Sequence, residues 1–294
     1  MAVVTALLLT TLAVTIVASL FWQQQVQVRS MENQRLHLQT RWILRGALDW
    51  ARLILRTDGQ SPAPTIENGV WATPLAETRL DDYVERERVQ NEDYNATIKG
   101  QIYDAQARYN LSNLANGNVE DVAAFGRLLG ALQLDRGLAQ AAAQLVMKGG
   151  QSGSQTGSQQ MTVQRVDDLA AAGFTPAAIE RLRDFTVVLS QDARVNVNTA
   201  SPEVLVAVVE NLSLSEAQTL VASRKNRPFT SAGGFSTAVG GKKMVTVVTR
   251  SDNFLVLSQV KLDRAALESW ALIKRGVPGS PGGLTTTLEW IREF

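Results

Sequence analysis

The chain of 294 residues contains no cysteine and a single histidine, His37. Without a thiol there is no disulfide, no thiolate nucleophile and no thiolate metal site, so packing must stabilise the fold in whichever compartment holds it. One imidazole gives no histidine cluster for zinc and no Ser/His/Asp set for acyl transfer. The glycine pairs Gly233-Gly234 and Gly240-Gly241 lack the spacing of a phosphate-binding loop and read as loop residues. These absences argue against an enzyme. An excess of one charge is missing too, since 29 Lys and Arg stand against 28 Asp and Glu. That balance gives no electrostatic reason to expect nucleic acid as the principal partner.

What is present first is an uncharged apolar stretch. Residues 1–22 carry no Asp, Glu, Lys or Arg. At about 1.5 Å per residue a helix of that length reaches roughly 33 Å, enough for a hydrocarbon core of about 30 Å. Thr5, Thr10, Thr11, Thr15 and Ser19 can bond back to carbonyls one turn earlier, which makes them tolerable in lipid. A cleaved secretory signal would have a basic start and a shorter apolar core. An ordinary single-pass anchor explains the apolarity but not the long uninterrupted helical pattern beyond it. No Gly or Pro interrupts the chain before Gly46, so the helix is expected to leave the membrane unbroken.

From 26 to 56 the apolar positions form one stripe, with Leu36, Ile43, Ala47, Trp50 and Ile54 at helical spacing and Leu44, Leu48 and Leu55 beside them. Thr57, Asp58 and Gly59 end the helix, and Pro62 and Pro64 begin a loop. Arg29, Arg35, Arg41 and Arg45 come after the span and, taken alone, draw that end toward the cytoplasm. A helix that is membranous in its first half and amphipathic in its second resembles that of type IV pilins and pseudopilins.

The region 71–95 interleaves Asp81, Asp82, Glu85, Glu87, Glu92 and Asp93 with Arg79, Arg86 and Arg88, and reads as a solvated, self-neutralising face. No EF-hand spacing appears. The sequence at 97–111 alternates at Ile98, Gly100 and Ile102, turns near Asp104 to Gln106 and resumes, which predicts a hairpin. Helical patterns cover 119–134 and 138–148, and GGQSGSQTGSQQ then reads as a flexible linker. Short helices are expected at 166–172 and 176–183, the second capped by Thr175 with Pro176 at its first position.

The most specific motif is VNVNTASPEVLVAVVENLSLSEAQTLVASRKNRPF, at 195–229. Thr199 or Ser201 can cap a helix opened by Pro202 and Glu203, and Ser213 or Ser215 can cap a second. The motif resembles helix-hairpin-helix modules of the DNA-uptake type, which share Asn196, Asn198, Thr199, Ala200 and Pro202 at the start and Arg224, Pro228 and Phe229 at the exit. In those modules a glycine-bearing hairpin lets backbone N–H groups approach phosphate. Here Asn211, Leu212, Ser213, Leu214 and Ser215 occupy that place. A membrane-anchored DNA-binding protein is therefore the alternative reading, supported by Arg224, Lys225 and Arg227 and weakened by the missing glycines.

The same NVNTA segment within a helical insertion is similar to the K-type minor pseudopilins of the type II secretion system, over nearly the whole chain. The resemblance implies an α+β fold, a long N-terminal helix packed on an antiparallel sheet with a helical domain, SAM-like or helix-hairpin-helix-like, inserted in that sheet. Its segments are a transmembrane helix 1–22, an amphipathic continuation 23–56, a first sheet portion 57–111, an insertion 112–243 with linker 148–160, and closing strands 244–294. Within the last, strands are expected at 244–250 and 254–262, strand or helix at 264–275, and a Pro/Gly turn at 277–283. A final strand is expected to place Leu284, Thr286, Leu288, Trp290 and Phe294 on one side against the N-terminal helix.

Most pilin-like subunits carry a glutamate at the fifth position, paired in lipid with the amine of the neighbour above. This chain has Thr5, a departure the K-type family shares, which suits a filament tip. The resemblance implies that Met1, Thr5, Leu8, Leu12 and Trp22 serve membrane insertion and assembly. It also implies a prepilin-peptidase substrate, which a short basic leader ending in Gly ahead of Met1 would identify and whose absence would return the chain to the ordinary-anchor class. Implied partners are the I- and J-type minor pseudopilins, the major pseudopilin and the inner-membrane secretion platform. The implied location is the bacterial inner membrane, single-pass, with the C-terminal domain periplasmic. Structural calcium is associated with that family, but no ligand pattern maps onto these residues.

Overall fold

The computed structural model describes residues 2–80, 96–150, 163–190, 193–276 and 285–294. The acidic run at 81–93, the linker beyond Gly150, the turn at 277–283, Met1 and Leu284 lie outside them. The first helix, α1 (Ala2–Gly59), is continuous for 58 residues, which is about 87 Å at 1.5 Å per residue. It is the one described helix long and apolar enough to cross a membrane. Thr5, Thr10 and Thr11 each donate to the carbonyl three residues earlier at 2.9 Å, so their hydroxyls are satisfied within the helix.

No described residue of α1 before Thr40 is buried. From there the buried line is Thr40, Leu44, Leu48, Ala51 and Leu55, at spacings of three and four. The stripe read from the sequence is therefore rotated by one position. Trp50 is half exposed, and Ile43, Ala47 and Ile54 flank the contact rather than form it.

β1 (Leu75–Arg79) and β2 (Ala96–Asp104) open an antiparallel sheet. The expected hairpin partner of β2 is absent. Instead β3 (Tyr109–Asn110) pairs parallel with a short strand far along the chain, and Tyr109 enters the core of the insertion. That insertion contains α2 (Val119–Ala131), α3 (Leu138–Gly150), α4 (Pro176–Arg183), β4 (Thr186–Val187), β5 (Val195–Asn196), α5 (Pro202–Val208), α6 (Leu214–Arg224) and α7 (Ala232–Ala238). Phe125, Leu128, Leu182, Val204, Leu205 and Phe235 are among its fully buried side chains. The strand expected at 244–250 shrinks to β6 (Val247–Val248), paired parallel with β5, and Val245 and Val247 pack in the helical core.

The sheet then resumes with β7 (Asn253–Leu262), β8 (Ala265–Arg275) and β9 (Thr286–Glu293), giving the order β1-β2-β7-β8-β9, antiparallel throughout. The insertion thus leaves from the end of β2 and returns at the start of its neighbour β7. One face of the sheet packs on α1 through Ile98, Ile102, Phe254, Val256, Val260, Ala271 and Ile273. The opposite face packs Leu255 and Leu272 against Val187, Leu189 and Ala193 of the insertion. A bulge shifts the β8–β9 register between Leu272 and Ile273, so Leu288 pairs with Ile273 and Trp290 with Leu272. The two are consequently on opposite faces, where strict alternation placed them on one. Phe294 is 75% exposed instead of packed on α1.

Candidate functional site at the junction of sheet and insertion

The NVNTA motif folds as a turn between β5 and α5, and its polar side chains point into the protein. Asn196 is fully buried, and its Oδ1 accepts the backbone N–H of Asn198 at 2.9 Å, an Asx turn that sets the direction of the chain. Its Nδ2 lies 3.1 Å from the carbonyl of Thr65, 3.1 Å from Asp104 and 2.8 Å from the hydroxyl of Ser251. Thr199 does not cap α5. Its hydroxyl donates to Asp104 at 2.6 Å, and Ser201 caps the helix by accepting from Val204 N–H.

Asp104 is the centre of the junction. Besides Asn196 and Thr199 it accepts the Ser251 hydroxyl at 2.6 Å and the Gln106 N–H at 2.8 Å. Burial pushes its pKa above the ordinary carboxylate value, and these four donors oppose that push. Beside it Gln106 accepts the N–H groups of Asp252 and Asn253 and donates to the carbonyl of Arg194 at 2.8 Å. Arg275, 3% exposed, donates to the Ser251 carbonyl at 3.0 Å, Asp58 at 2.5 Å and the Thr65 hydroxyl at 2.9 Å. Its guanidinium also lies 4.7 Å from the Phe254 ring centre. The end of α1, two sheet strands and the insertion are joined here by buried polar groups that hold one another, which fixes their relative orientation.

The second half of the motif closes the same structure. Asn198 holds Phe229 by both backbone groups, accepting its N–H and donating to its carbonyl at 2.9 Å each. Phe229 packs edge-on against Phe235 at 5.2 Å, Ala200 is fully buried, Pro202 begins α5, and Pro228 lines a small cavity beside Arg224. Arg224 is 5% exposed and donates to the carbonyls of Val197 at 2.8 Å and Ala200 at 2.6 Å. It is therefore a structural tie and not one of the surface cations that duplex binding requires.

The hairpin at 211–215 is closed in the same way. Asn211 takes the left-handed conformation at φ 56°, Leu212 is buried, and Lys242 bonds the Asn211 carbonyl at 2.9 Å. Ser213 and Glu216 form a capping box, and the hydrogen bond from Lys242 with those from Ser213 holds the Glu216 carboxyl down to about 2. No glycine-lined opening toward a phosphate exists at this hairpin.

The membrane-proximal residues stand apart from this junction. Thr5, Leu8, Leu12 and Trp22 lie exposed along α1, and Met1 is outside the described residues. Among the described residues no group of three or more His, Asp or Glu is placed to hold a metal ion. Sequence patterning did not single out Asp104, Gln106, Thr65, Ser251 and Arg275 as a site. The available signal was polar residues bounding strongly apolar strands, at Asp104 after Ile102 and at Ser251 and Asn253 before Phe254.

Residues 195–255 match the family described as type II secretion system (T2SS), protein K. Over 95% of its length the chain is 26% identical to a type II secretion system protein K of Pseudomonas aeruginosa, covering 89% of that protein. The chain is thus similar to type II secretion system protein K, through this segment and over nearly its whole length. Its fold matches, at a TM-score of 0.64 and 13% identity, a chain of the GspK-GspI-GspJ complex from the enterotoxigenic Escherichia coli type 2 secretion system. That match covers 90% of this chain and 99% of the other. The family segment begins at β5 and ends inside β7. It therefore contains Asn196, Asn198, Thr199, Arg224, Ser251 and Asn253, the insertion's side of the polar junction.

Proposed function

We propose that this chain is the minor pseudopilin at the tip of a type II secretion pseudopilus, where it initiates or caps the filament that exports folded proteins. The observation that supports it is the position of the insertion. It is tied to Asp58, at the last turn of α1, through Arg275 and the loop residue Thr65, at the opposite end of α1 from the apolar half. A subunit adding above would meet this bulk. Thr5, with its hydroxyl turned back to the Ala2 carbonyl, offers no carboxylate to a neighbour's amine.

In this reading the apolar half of α1 spans the inner membrane and the sheet and insertion stand in the periplasm. The I- and J-type minor pseudopilins pack beside α1, and the major pseudopilin and the secretion platform lie below. The full chain, extracted in detergent with co-expressed I- and J-type subunits, is expected to elute as one discrete complex. Persistent elution as a separate species contradicts the proposal.

A further inference from the structure

Arg224 is tied to the chain along one side only. Its Nη1 donates to the carbonyls of Val197 and Ala200, while its Nε is buried and has no hydrogen-bond partner among the described residues. Nη2 lies 3.6 Å from Glu67 Oε2, beyond hydrogen-bond length. Nε and Nη2 form one edge of the guanidinium, and the N–H groups of such an edge match the two oxygens of a carboxylate. Buried donors are nearly always paired, and one that the protein leaves unpaired points to an ion or a water.

The fold leaves room for either. Arg224 lines a cavity of about 40 Å³ with Glu67, Asn68, Asn198, Lys225 and Pro228. That volume suits about two or three water molecules, or one carboxylate group in their place. The walls are fixed from elsewhere. Thr65, at the start of the loop that carries Glu67, donates its N–H to the Thr249 carbonyl at 2.9 Å, and Asn198 holds Phe229 by both backbone groups. The Glu67 side chain is 56% exposed, so it can turn into solvent and yield its place beside the guanidinium. Lys225, exposed in the lining, adds a second positive charge. Burial pushes the Arg224 pKa below the ordinary guanidinium value and Glu67 opposes that push, as any paired anion would.

We infer that the Nε and Nη2 edge of Arg224 is a binding site for a carboxylate, with Glu67 as the resident group that the incoming carboxylate displaces. The inference does not depend on the proposed function. Two sources share this chemistry, a free small carboxylic acid and an acidic side chain of a partner subunit.

The test follows the Arg224 Nε–H resonance of the isotope-labelled full chain in detergent, assigned by its loss in Arg224→Lys. Sodium formate is titrated against sodium chloride at equal ionic strength. A saturable shift with formate and none with chloride is expected. Glu67→Gln removes the competing charge and is expected to lower the half-saturating formate concentration about fivefold. Should Arg224→Lys fail to fold, the resonance is the one whose half-saturation Lys225→Glu raises by about the same factor. Where I- and J-type subunits are bound, a formate response that persists supports a free acid as the source. A response that disappears, with the signal already at its formate-bound position, supports a partner carboxylate. A resonance that never moves, or moves alike with formate and chloride, overturns the inference and leaves water as the partner of Nε. The proposed function stands or falls separately.

Discussion

The Thr199 hydroxyl donates to the Asp104 carboxylate at 2.6 Å across 95 residues of chain. Thr199 belongs to the insertion and Asp104 to the end of β2, so this bond carries the most specific sequence motif of the chain onto the sheet. Ser251 and Asn196 reach the same carboxylate oxygen. The motif's function is thus to seat one part of the protein on another.

Thr199→Val keeps the shape of the side chain and removes the hydroxyl. The same oxygen keeps Ser251 and Asn196 as donors, so the loss is that of one net hydrogen bond, about 0.5 to 1.5 kcal/mol. A lower urea midpoint with an unchanged slope is expected, and Thr199→Ser is expected to restore most of it. Equal midpoints for wild type and Thr199→Val would show that the bond does not contribute.

Asp104 also sets a pH dependence. Its folded pKa is raised above the unfolded value of 3.8, by burial first. The folded state therefore binds the proton more tightly, and this group's contribution is fully present below 3.8 and lost as pH rises through the folded value. Urea midpoints measured from pH 4 to 7 for wild type and Asp104→Asn should differ in slope, with wild type declining more steeply as pH rises. Parallel profiles would contradict the assignment.

Arg275 is the cation of the junction, and its three bonds leave the guanidinium in different directions. A lysine is a single point charge and cannot reproduce that fork. Arg275→Lys is expected to lose about 1.5 to 3 kcal/mol, the range for hydrogen bonds to charged groups, read as a lower thermal midpoint. Arg41, paired with Glu293 at 2.9 Å and 60% exposed at its side chain, serves as the comparison. Arg41→Lys should change the midpoint little.

The elements that repeat locally were legible in the sequence. The long α1, the helices after Thr175, Ser201 and Ser213, and the strand pattern of Phe254, Val256 and Val260 arise from caps and periodicity. What needed the structure was every choice between near-equal alternatives. Whether Thr199 or Ser201 caps α5 depends on Asp104, which local sequence does not bring near. Tyr109 leaves the expected hairpin because the insertion's core offers fuller burial, and Leu288 and Trp290 part because of a bulge that has no glycine to mark it. Arg224 looked like a surface cation because its carbonyl partners, Val197 and Ala200, lie a whole helical pair earlier.

Thr5 and the insertion are the two features that support the proposed tip position. Thr5→Glu supplies the carboxylate that pilin-like subunits use toward the neighbour above. Secretion of folded substrate and pseudopilus length are expected to change little, because the insertion still blocks addition above. A large gain in filament length would show that Thr5, and not the insertion, ends the filament.

Position in the filament is the property on which the proposed function rests. Gold-labelled antibody against the insertion, applied to isolated pseudopili and imaged by electron microscopy, measures it directly. A single label at one end of each filament is the expected result. Labels repeated along the shaft, or filaments that carry none, would contradict it.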